Sequence, residues 1–206
     1  MTRTTLRERK KAERRELLSA VATDLFFERG FDAVTIADIA ESADVGKMTV
    51  WNYFPRKEDL LFDRFAEQID LVTKALARRE GRRVSDVIRD HELELIEAAS
   101  PLAGIGARVG RFWEVVAESA VLTTRWHAHF RELAGLLGQA YGASLSLSQA
   151  DLAASLVAAT MEHVQRLPLQ LQLGAPTEVA EQQETRRRIV TEAFDRLEAG
   201  LAALCV

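Results

Sequence analysis

The chain has 206 residues, of which 48% are hydrophobic and 28% charged, a composition typical of a soluble protein with one or two compact domains. Its formal net charge of −4 at pH 7 gives no sign of a polyanion-binding protein at the level of the whole chain. The single cysteine, Cys205, excludes an intrachain disulfide and a multi-cysteine metal site.

The chain begins with charged residues, and no apolar run approaches the roughly 18 residues that cross a bilayer. We therefore expect a cytoplasmic protein that is neither secreted nor embedded in a membrane. With only four prolines and eleven glycines, and many Ala, Leu, Glu and Arg residues, the composition favours helix over strand. The predicted fold class is all-α, with about nine helices.

Charge is distributed unevenly along the chain. Residues 1–15 carry seven basic side chains against two acidic ones, whereas residues 61–206 hold 16 basic and 20 acidic side chains. A basic arm of this kind is compatible with a nucleic-acid contact and equally with a merely solvated terminus.

The first predicted helix covers residues 8–29. Apolar residues recur at helical spacing from Leu17 to Phe26, and Gly30 supplies a left-handed stop.

Two short helices are predicted next. Thr35 is suited to the N-cap of the second helix, and the carboxylate of Asp38 can face its first-turn amides. Asp44 tolerates a left-handed turn, and Gly46 can cap a third helix over residues 47–54. Two short helices joined by a tight turn predict a helix-turn-helix, whose second helix enters the major groove of DNA.

The third helix is predicted to have a readable outward face. At 100° per residue, Val50 and Phe54 point inward, while Met48 and Asn52 lie nearly opposite. Asn52 can hold an adenine through two hydrogen bonds. The predicted base-reading residues are Lys47, Met48, Thr49 and Asn52. Thr35, Trp51, Tyr53 and Lys57 are predicted to contact phosphates, which position the domain without reading sequence.

The remaining chain is predicted to be helical. Pro55 stops the third helix, and the apolar spacing after it predicts one long helix from Glu58 to about residue 80. Whether Pro168 kinks or ends the penultimate helix stays open. The further predicted helices lie near residues 84–99, 104–119, 122–142, 149–167 and 178–204.

Residues 13–62 resemble the N-terminal DNA-binding domain of the TetR family of bacterial transcriptional regulators. The resemblance rests on "FFERGFDAVTIADIAESADV" followed by "TVWNYFPRKEDLL". It implies a DNA-binding domain over residues 1–57, with an arm that reaches DNA, and a larger helical ligand-binding and dimerisation domain over residues 58–206. Asp44, Gly46, Trp51 and Asn52 differ from the family's common residues, which bears on operator choice.

Two apolar stripes near the C-terminus have steps of three and four residues, the spacing of a helix that packs on a partner or on its own core. The resemblance implies a four-helix homodimer interface. A dimer would place two reading helices about 34 Å apart and require a near-palindromic operator. The predicted interface residues are Leu152, Leu156, Ala159, Val190, Phe194, Leu197 and Leu201.

A ligand pocket is predicted where aromatic residues and histidines are concentrated, although each residue alone is more often part of a core. His127 and His129 are two residues apart and diverge on a helix, which argues against a shared metal ion. No metal or cofactor is expected. The candidate pocket residues are Phe65, Phe112, Trp113, Trp126, His127, Phe130, Met161 and His163.

The sequence therefore predicts a regulator rather than an enzyme. The leading hypothesis is a homodimeric repressor that binds double-stranded operator DNA and is released by a small hydrophobic or aromatic effector. An activator, or a constitutive repressor without an inducer, stays open within the same class. The alternative is an all-α enzyme or ligand-binding protein acting on a hydrophobic small molecule. It is disfavoured because we find no nucleophile motif, phosphate loop or metal-ligand spacing.

Overall fold

The computed structural model describes residues 5–142, 144–166 and 178–202. Within these ranges every regular element is a helix, which confirms the predicted all-α fold. The question of Pro168 falls outside the described residues. The α-helices of the described ranges are α1 (Leu6–Arg29), α2 (Ile36–Ser42), α3 (Lys47–Tyr53), α4 (Glu58–Leu61), α5 (Phe65–Ala77), α6 (Val84–Glu97), α7 (Val109–Glu118), α8 (Ala120–Tyr141), α9 (Leu147–Arg166) and α10 (Val179–Ala202), with a 3-10 helix at Pro101–Ala103.

The chain divides into two compact units. The first unit contains the residues up to Asp63 and the segment Val115–Thr123. The second unit contains Arg64–Glu114 and the residues from Thr124 onward. Residues 58–63 thus group with the first unit, whereas the sequence analysis placed the domain boundary after residue 57.

The long helix predicted over residues 58–80 is interrupted, so that prediction was wrong. α4 ends at Leu61 and α5 begins at Phe65. α4 packs on α1, and the Ser19 hydroxyl donates a hydrogen bond to the Leu60 carbonyl at 2.9 Å. Apolar periodicity could not reveal the break because both helices bury one face and the pattern continues across the gap.

The ends of α1 are fixed by local hydrogen bonds. At its start, the Thr5 hydroxyl accepts from the Glu8 amide, and the Glu8 carboxylate accepts from the Thr5 amide at 2.7 Å. This reciprocal pair is a capping box, and it begins the helix slightly before the predicted residue 8. At the other end, Gly30 has a φ of +82°, a conformation that glycine adopts without strain.

Arg15 on α1 holds the end of α3 within the first unit. Its Nη1 donates to the Tyr53 carbonyl at 2.9 Å, and its Nε lies 2.5 Å from a carboxylate oxygen of Asp63. The guanidinium also lies 4.2 Å from the centroid of the buried Phe54 ring. The last turn of α3 is therefore tied to α1 by a charged, planar side chain.

The second unit contains a buried cluster of polar side chains. Arg186 on α10 is 3% exposed, and its guanidinium donates to the carbonyls of Val164 and Gln165 near the end of α9 and to that of Gly104. The Gln165 side chain donates to the Glu92 carboxylate at 3.3 Å. Arg186 thereby satisfies carbonyls that the end of a helix leaves without partners.

Burial sets the charge balance of this cluster. It raises the pKa of Glu92 to about 7, although the hydrogen bond from Gln165 and the charge of Arg186 oppose the shift. It also lowers the pKa of Arg186 to about 10. Glu92 therefore changes protonation state near neutral pH while Arg186 stays charged.

The two stripes predicted to form the dimer interface lie in different environments. The α10 stripe is buried in the chain's own second unit, so these residues belong to the core, which is the second of the two alternatives. The helical spacing is the same in both cases, which is why the sequence could not separate them. The buried stripe consists of Val190, Phe194, Leu197 and Leu201.

The α9 stripe, in contrast, is exposed in the single chain. Leu152 is 46% and Leu156 38% exposed, and Ala159 is exposed as well. The opposite side of α9 is buried, with Val157 and Met161 fully covered.

None of the described helices is long and apolar enough to cross a membrane.

Replacing Glu92 with Gln should flatten part of the pH dependence of stability. Because the pKa of Glu92 is raised on folding, the stabilisation that Glu92 adds to the free energy of unfolding is fully present below about pH 4.5. It is lost as the pH rises to about 7. The Glu92→Gln variant should therefore become more stable relative to the wild type between pH 5 and pH 8. Thermal melting of both proteins across this range measures the difference, and parallel curves would contradict the assignment.

Replacing Arg15 with Gln should destabilise the first unit. The variant loses a charged hydrogen bond to Tyr53 and the ion pair with Asp63, so we expect its free energy of unfolding to fall by about 1 to 2 kcal/mol. Arg14→Gln is the matched control, since Arg14 is exposed and should change stability by less than about 0.5 kcal/mol. Urea unfolding compares the two, and equal effects would refute the role of Arg15.

Candidate functional site

The N-terminus of α2 carries the cap that the sequence predicts. The Thr35 hydroxyl accepts from the Asp38 amide at 3.2 Å, while the Asp38 carboxylate accepts from the Thr35 amide at 2.7 Å and from its hydroxyl at 2.6 Å. These hydrogen bonds hold the pKa of Asp38 below its usual value. Both polar hydrogens of Thr35 are thus engaged, and its predicted phosphate contact would compete with the cap.

The turn between α2 and α3 also follows the prediction. Asp44 has a φ of +50°, in the left-handed region, and the Val45 amide donates to the Ala40 carbonyl at 2.9 Å. Gly46 is the N-cap of α3 and has no side chain to bond to the first turn. Four residues, 43–46, connect α2 to α3.

α3 has one buried and one exposed side, as its periodicity predicts. Val50 and Phe54 are 0% exposed and anchor the helix, whereas Met48 is 69% and Trp51 40% exposed. The other predicted base readers, Lys47 and Asn52, are exposed, while Thr49 is half-buried, as is the predicted phosphate contact Tyr53. The structure therefore brings six predicted DNA-contacting residues onto one seven-residue helix.

Lys57, predicted to contact phosphate, lies against the end of α1. Its Nζ donates to the Phe31 carbonyl at 2.6 Å and lies 4.1 Å from the centroid of the Phe31 ring. Burial lowers the pKa of Lys57, and the charge of Asp32 opposes this shift. An ammonium group has three N–H donors, so one contact to Phe31 leaves capacity for a phosphate. That contact remains a prediction.

Two features of the first unit escaped the sequence analysis. Arg15 was counted with the basic arm, yet its contacts to Tyr53 and Asp63 make it a support for α3. The segment Val115–Thr123 belongs to this unit although it is distant in sequence. Within it, the Ser119 hydroxyl donates to the Asp32 carboxylate at 3.3 Å, a contact between residues 87 positions apart that has no periodic signal.

The second unit brings together five of the predicted pocket aromatics. Trp126 is central, with ring centroids 4.5 Å from Trp113, 4.9 Å from Phe130 and 5.7 Å from Phe65. Phe112 packs against Trp113 at 5.2 Å. We call these five residues the aromatic cluster. Trp126 and Phe130 share a face of α8 because they are four residues apart.

The other three predicted pocket residues differ in their surroundings. His127 is rotated away from Trp126 by one helical position, and its Nδ1 lies 2.6 Å from a Glu162 carboxylate oxygen. His163 is exposed on α9, and Met161 is completely buried. The buried His129 stacks on Phe65 of the aromatic cluster and lies within hydrogen-bond distance of the buried Gln68; the sequence analysis considered His129 and missed Gln68.

Comparison with known proteins gives a family for the first unit. The family model described as "Bacterial regulatory proteins, tetR family" matches residues 18–63. The uncharacterized HTH-type transcriptional regulator YdeS of Bacillus subtilis (strain 168) is 32% identical over 108 residues, which cover 43% of this chain and 54% of YdeS. The HTH-type transcriptional repressor KstR2 of Mycolicibacterium smegmatis is 32% identical over 81 residues, covering 34% of this chain and 40% of KstR2. The matched part of the chain thus spans about half the length of these relatives or less.

Solved structures share the fold over nearly the whole chain. NalD, the secondary repressor of the MexAB-OprM multidrug efflux pump in Pseudomonas aeruginosa, is similar with a TM-score of 0.59 at 17% identity, covering 90% of this chain and 96% of NalD. SmeT in its complex with triclosan is similar with a TM-score of 0.58 at 20% identity, covering 91% of each chain. Such identities establish the likeness of fold alone. Together with the helix-turn-helix geometry of α2 and α3, the match over residues 18–63 identifies this chain's N-terminal domain as a member of the tetR family of bacterial regulatory proteins.

Proposed function

We propose that this protein is a homodimeric transcriptional repressor that binds a near-palindromic operator through α3 and is released by a small hydrophobic or aromatic ligand. The observation that carries the proposal is the exposed side of α3, held outward by the complete burial of Val50 and Phe54 within a tetR-family domain. The relatives described above are named regulators or repressors, which supports this role over the alternative of an all-α enzyme.

In this proposal the exposed side of α3 lies in the major groove. Lys47, Met48, Thr49 and Asn52 would reach base edges, with Asn52 suited to adenine and Lys47 to guanine. Trp51, Tyr53 and Lys57 would contact phosphates, which fix the position of the helix and make binding sensitive to salt. The basic N-terminal residues would add phosphate or minor-groove contacts.

A dimer would use the exposed stripe of α9. Leu152 and Leu156 leave apolar side chains open on one side of this helix, next to Ala159, whose small side chain permits close approach. Burying such a stripe against a second copy removes apolar surface from water. A symmetric pair would present two α3 helices and so require two half-sites one turn of DNA apart.

Release by a ligand requires a coupling between two binding sites. A ligand in the second unit lowers operator affinity only if it prefers a state of the dimer that binds DNA less tightly, typically by about 1 to 3 kcal/mol. The same coupling makes DNA weaken ligand binding by an equal factor. SmeT, which shares this fold, was solved as a complex with triclosan. In this chain the candidate ligand site is the aromatic cluster of the second unit.

Replacing Asn52 with Ala should relax recognition at one base pair. We expect a loss of about 1 to 3 kcal/mol on the matched operator and much less where that pair is already changed. Tyr53→Phe is the comparison variant, because it removes only the hydroxyl proposed to contact phosphate and should weaken all sequences alike. Gel shifts on DNA upstream of the gene, with single-base variants, make the measurement. Equal losses for Asn52→Ala on every sequence would reject Asn52 as a base reader, and no sequence-selective shift by the wild type would reject the proposed function.

Replacing Leu152 and Leu156 together with Glu should convert the dimer to a monomer, because four carboxylates cannot be buried at one symmetric interface. Operator affinity should then fall at least about tenfold through loss of the second half-site. Leu147→Glu is the control, since Leu147 is 89% exposed and lies 180° from Leu156 on a helical projection of about 100° per residue. Sedimentation equilibrium measures the oligomeric state of each variant. A double variant that stays dimeric would place the interface elsewhere.

A further inference from the structure

A buried histidine and glutamine face each other beside the aromatic cluster. Gln68 on α5 is 1% exposed and His129 on α8 is 0% exposed. The Nε2 atom of His129 lies 2.7 Å from the Oε1 atom of Gln68. The His129 ring is stacked on Phe65, with centroids 3.8 Å apart and planes 9° apart, and meets Phe130 edge-on at 5.3 Å. The pair is therefore held in place by two members of the cluster.

Each residue of this pair keeps one polar atom without a partner. Among the described residues, neither the Nε2 atom of Gln68 nor the Nδ1 atom of His129 has a hydrogen-bond partner. Buried polar groups are nearly always paired in native proteins, because an unpaired one loses its water without compensation. Two such atoms on adjacent buried side chains can therefore bond to a further polar group.

The donors and acceptors that the pair offers determine which chemical group can bond to it. As placed, His129 donates to the Gln68 oxygen, so its Nδ1 is an acceptor and the Gln68 amide offers N–H donors. If the amide were reversed, Gln68 would offer an oxygen acceptor and His129 an N–H donor. In either arrangement the pair presents one donor and one acceptor. A hydroxyl group, which both donates and accepts, satisfies both.

The site is suited to an uncharged group. Burial lowers the pKa of His129 to about 3, and the neighbouring charge of Arg125 acts in the same direction. Arg125 also lies 5.3 Å from the Phe65 ring centroid, so it borders the cluster from α8. A carboxylate could accept from the pair but could not donate to it, so it would leave the acceptor of the pair without a partner.

We propose that Gln68 and His129 form the polar end of the ligand site and select an uncharged aromatic molecule that carries a hydroxyl group, a phenol in the simplest case. The hydroxyl bonds to the Gln68–His129 pair while the ring packs against the aromatic cluster. This inference rests on the proposed ligand-binding role of the second unit and specifies the class of its ligand.

Three matched pairs of probes test the inference: phenol and benzene, 2-naphthol and naphthalene, and 4-phenylphenol and biphenyl. Each is titrated into the full-length wild type by calorimetry in the absence of DNA. We expect at least one phenol to bind about tenfold or more tightly than its hydrocarbon, the effect of hydrogen bonds to otherwise unpaired buried groups. The inference is overturned if no phenol binds at least about tenfold more tightly than its hydrocarbon, or if none of the phenols binds.

The double variant Gln68→Met, His129→Phe assigns the preference to this pair. Its side chains keep the apolar packing, so we expect hydrocarbon affinity to persist and the preference for the phenol to disappear. Its melting temperature should equal or exceed that of the wild type, because the two unpaired polar groups are gone. His91→Phe, on α6 of the same unit, is the control and should retain the preference. A double variant that retains it as well would overturn the inference.

Failure of this inference is distinguishable from failure of the proposed function. Operator binding by the wild type is measured by gel shift without any probe. A selective shift with no phenol preference overturns the ligand class and leaves the repressor intact. If the wild type gives no gel shift but clearly prefers phenols, the protein binds phenols and the proposed role as a DNA-binding repressor is wrong.

Discussion

The burial of Val50 and Phe54 is the constraint on which the first unit depends. Both side chains are completely covered, and they fix the rotation of α3 so that Met48 and Asn52 point outward. A seven-residue helix has too few internal hydrogen bonds to be stable alone, so its orientation must come from its neighbours. The exposed side of α3, which we propose reads DNA, is thus a consequence of core packing on the opposite side of the same helix.

The supports around α3 come from three directions. The capping box of Thr35 fixes the start of α2, the left-handed Asp44 fixes the turn, and Arg15 holds the carbonyl end of α3 at Tyr53. Each acts on backbone groups that a short helix leaves exposed at its ends. The proposed recognition of DNA by hydrogen bonds needs this rigidity, because a small rotation of α3 would move its side chains out of reach of the bases.

The second unit combines an apolar core with buried polar groups of two kinds. Arg186 meets three backbone carbonyls and lies in the field of Glu92, so its charge is compensated and it secures the end of α9. Gln68 and His129 are bonded to each other but each retains a free hydrogen-bonding atom among the described residues. The first arrangement secures the end of α9, whereas the second is the pair that we propose binds the ligand.

The sequence by itself determined the helical fold class, both caps of the helix-turn-helix and the two sides of α3, because these follow from local periodicity and from hydrogen bonds between residues three or four apart. Only the tertiary structure decided that the helix predicted over residues 58–80 breaks after Leu61, that the α10 stripe is internal while Leu152 and Leu156 are exposed, and that Gln68 meets His129. These features depend on which surfaces pack together, and the same spacing of apolar residues serves a core and an interface alike.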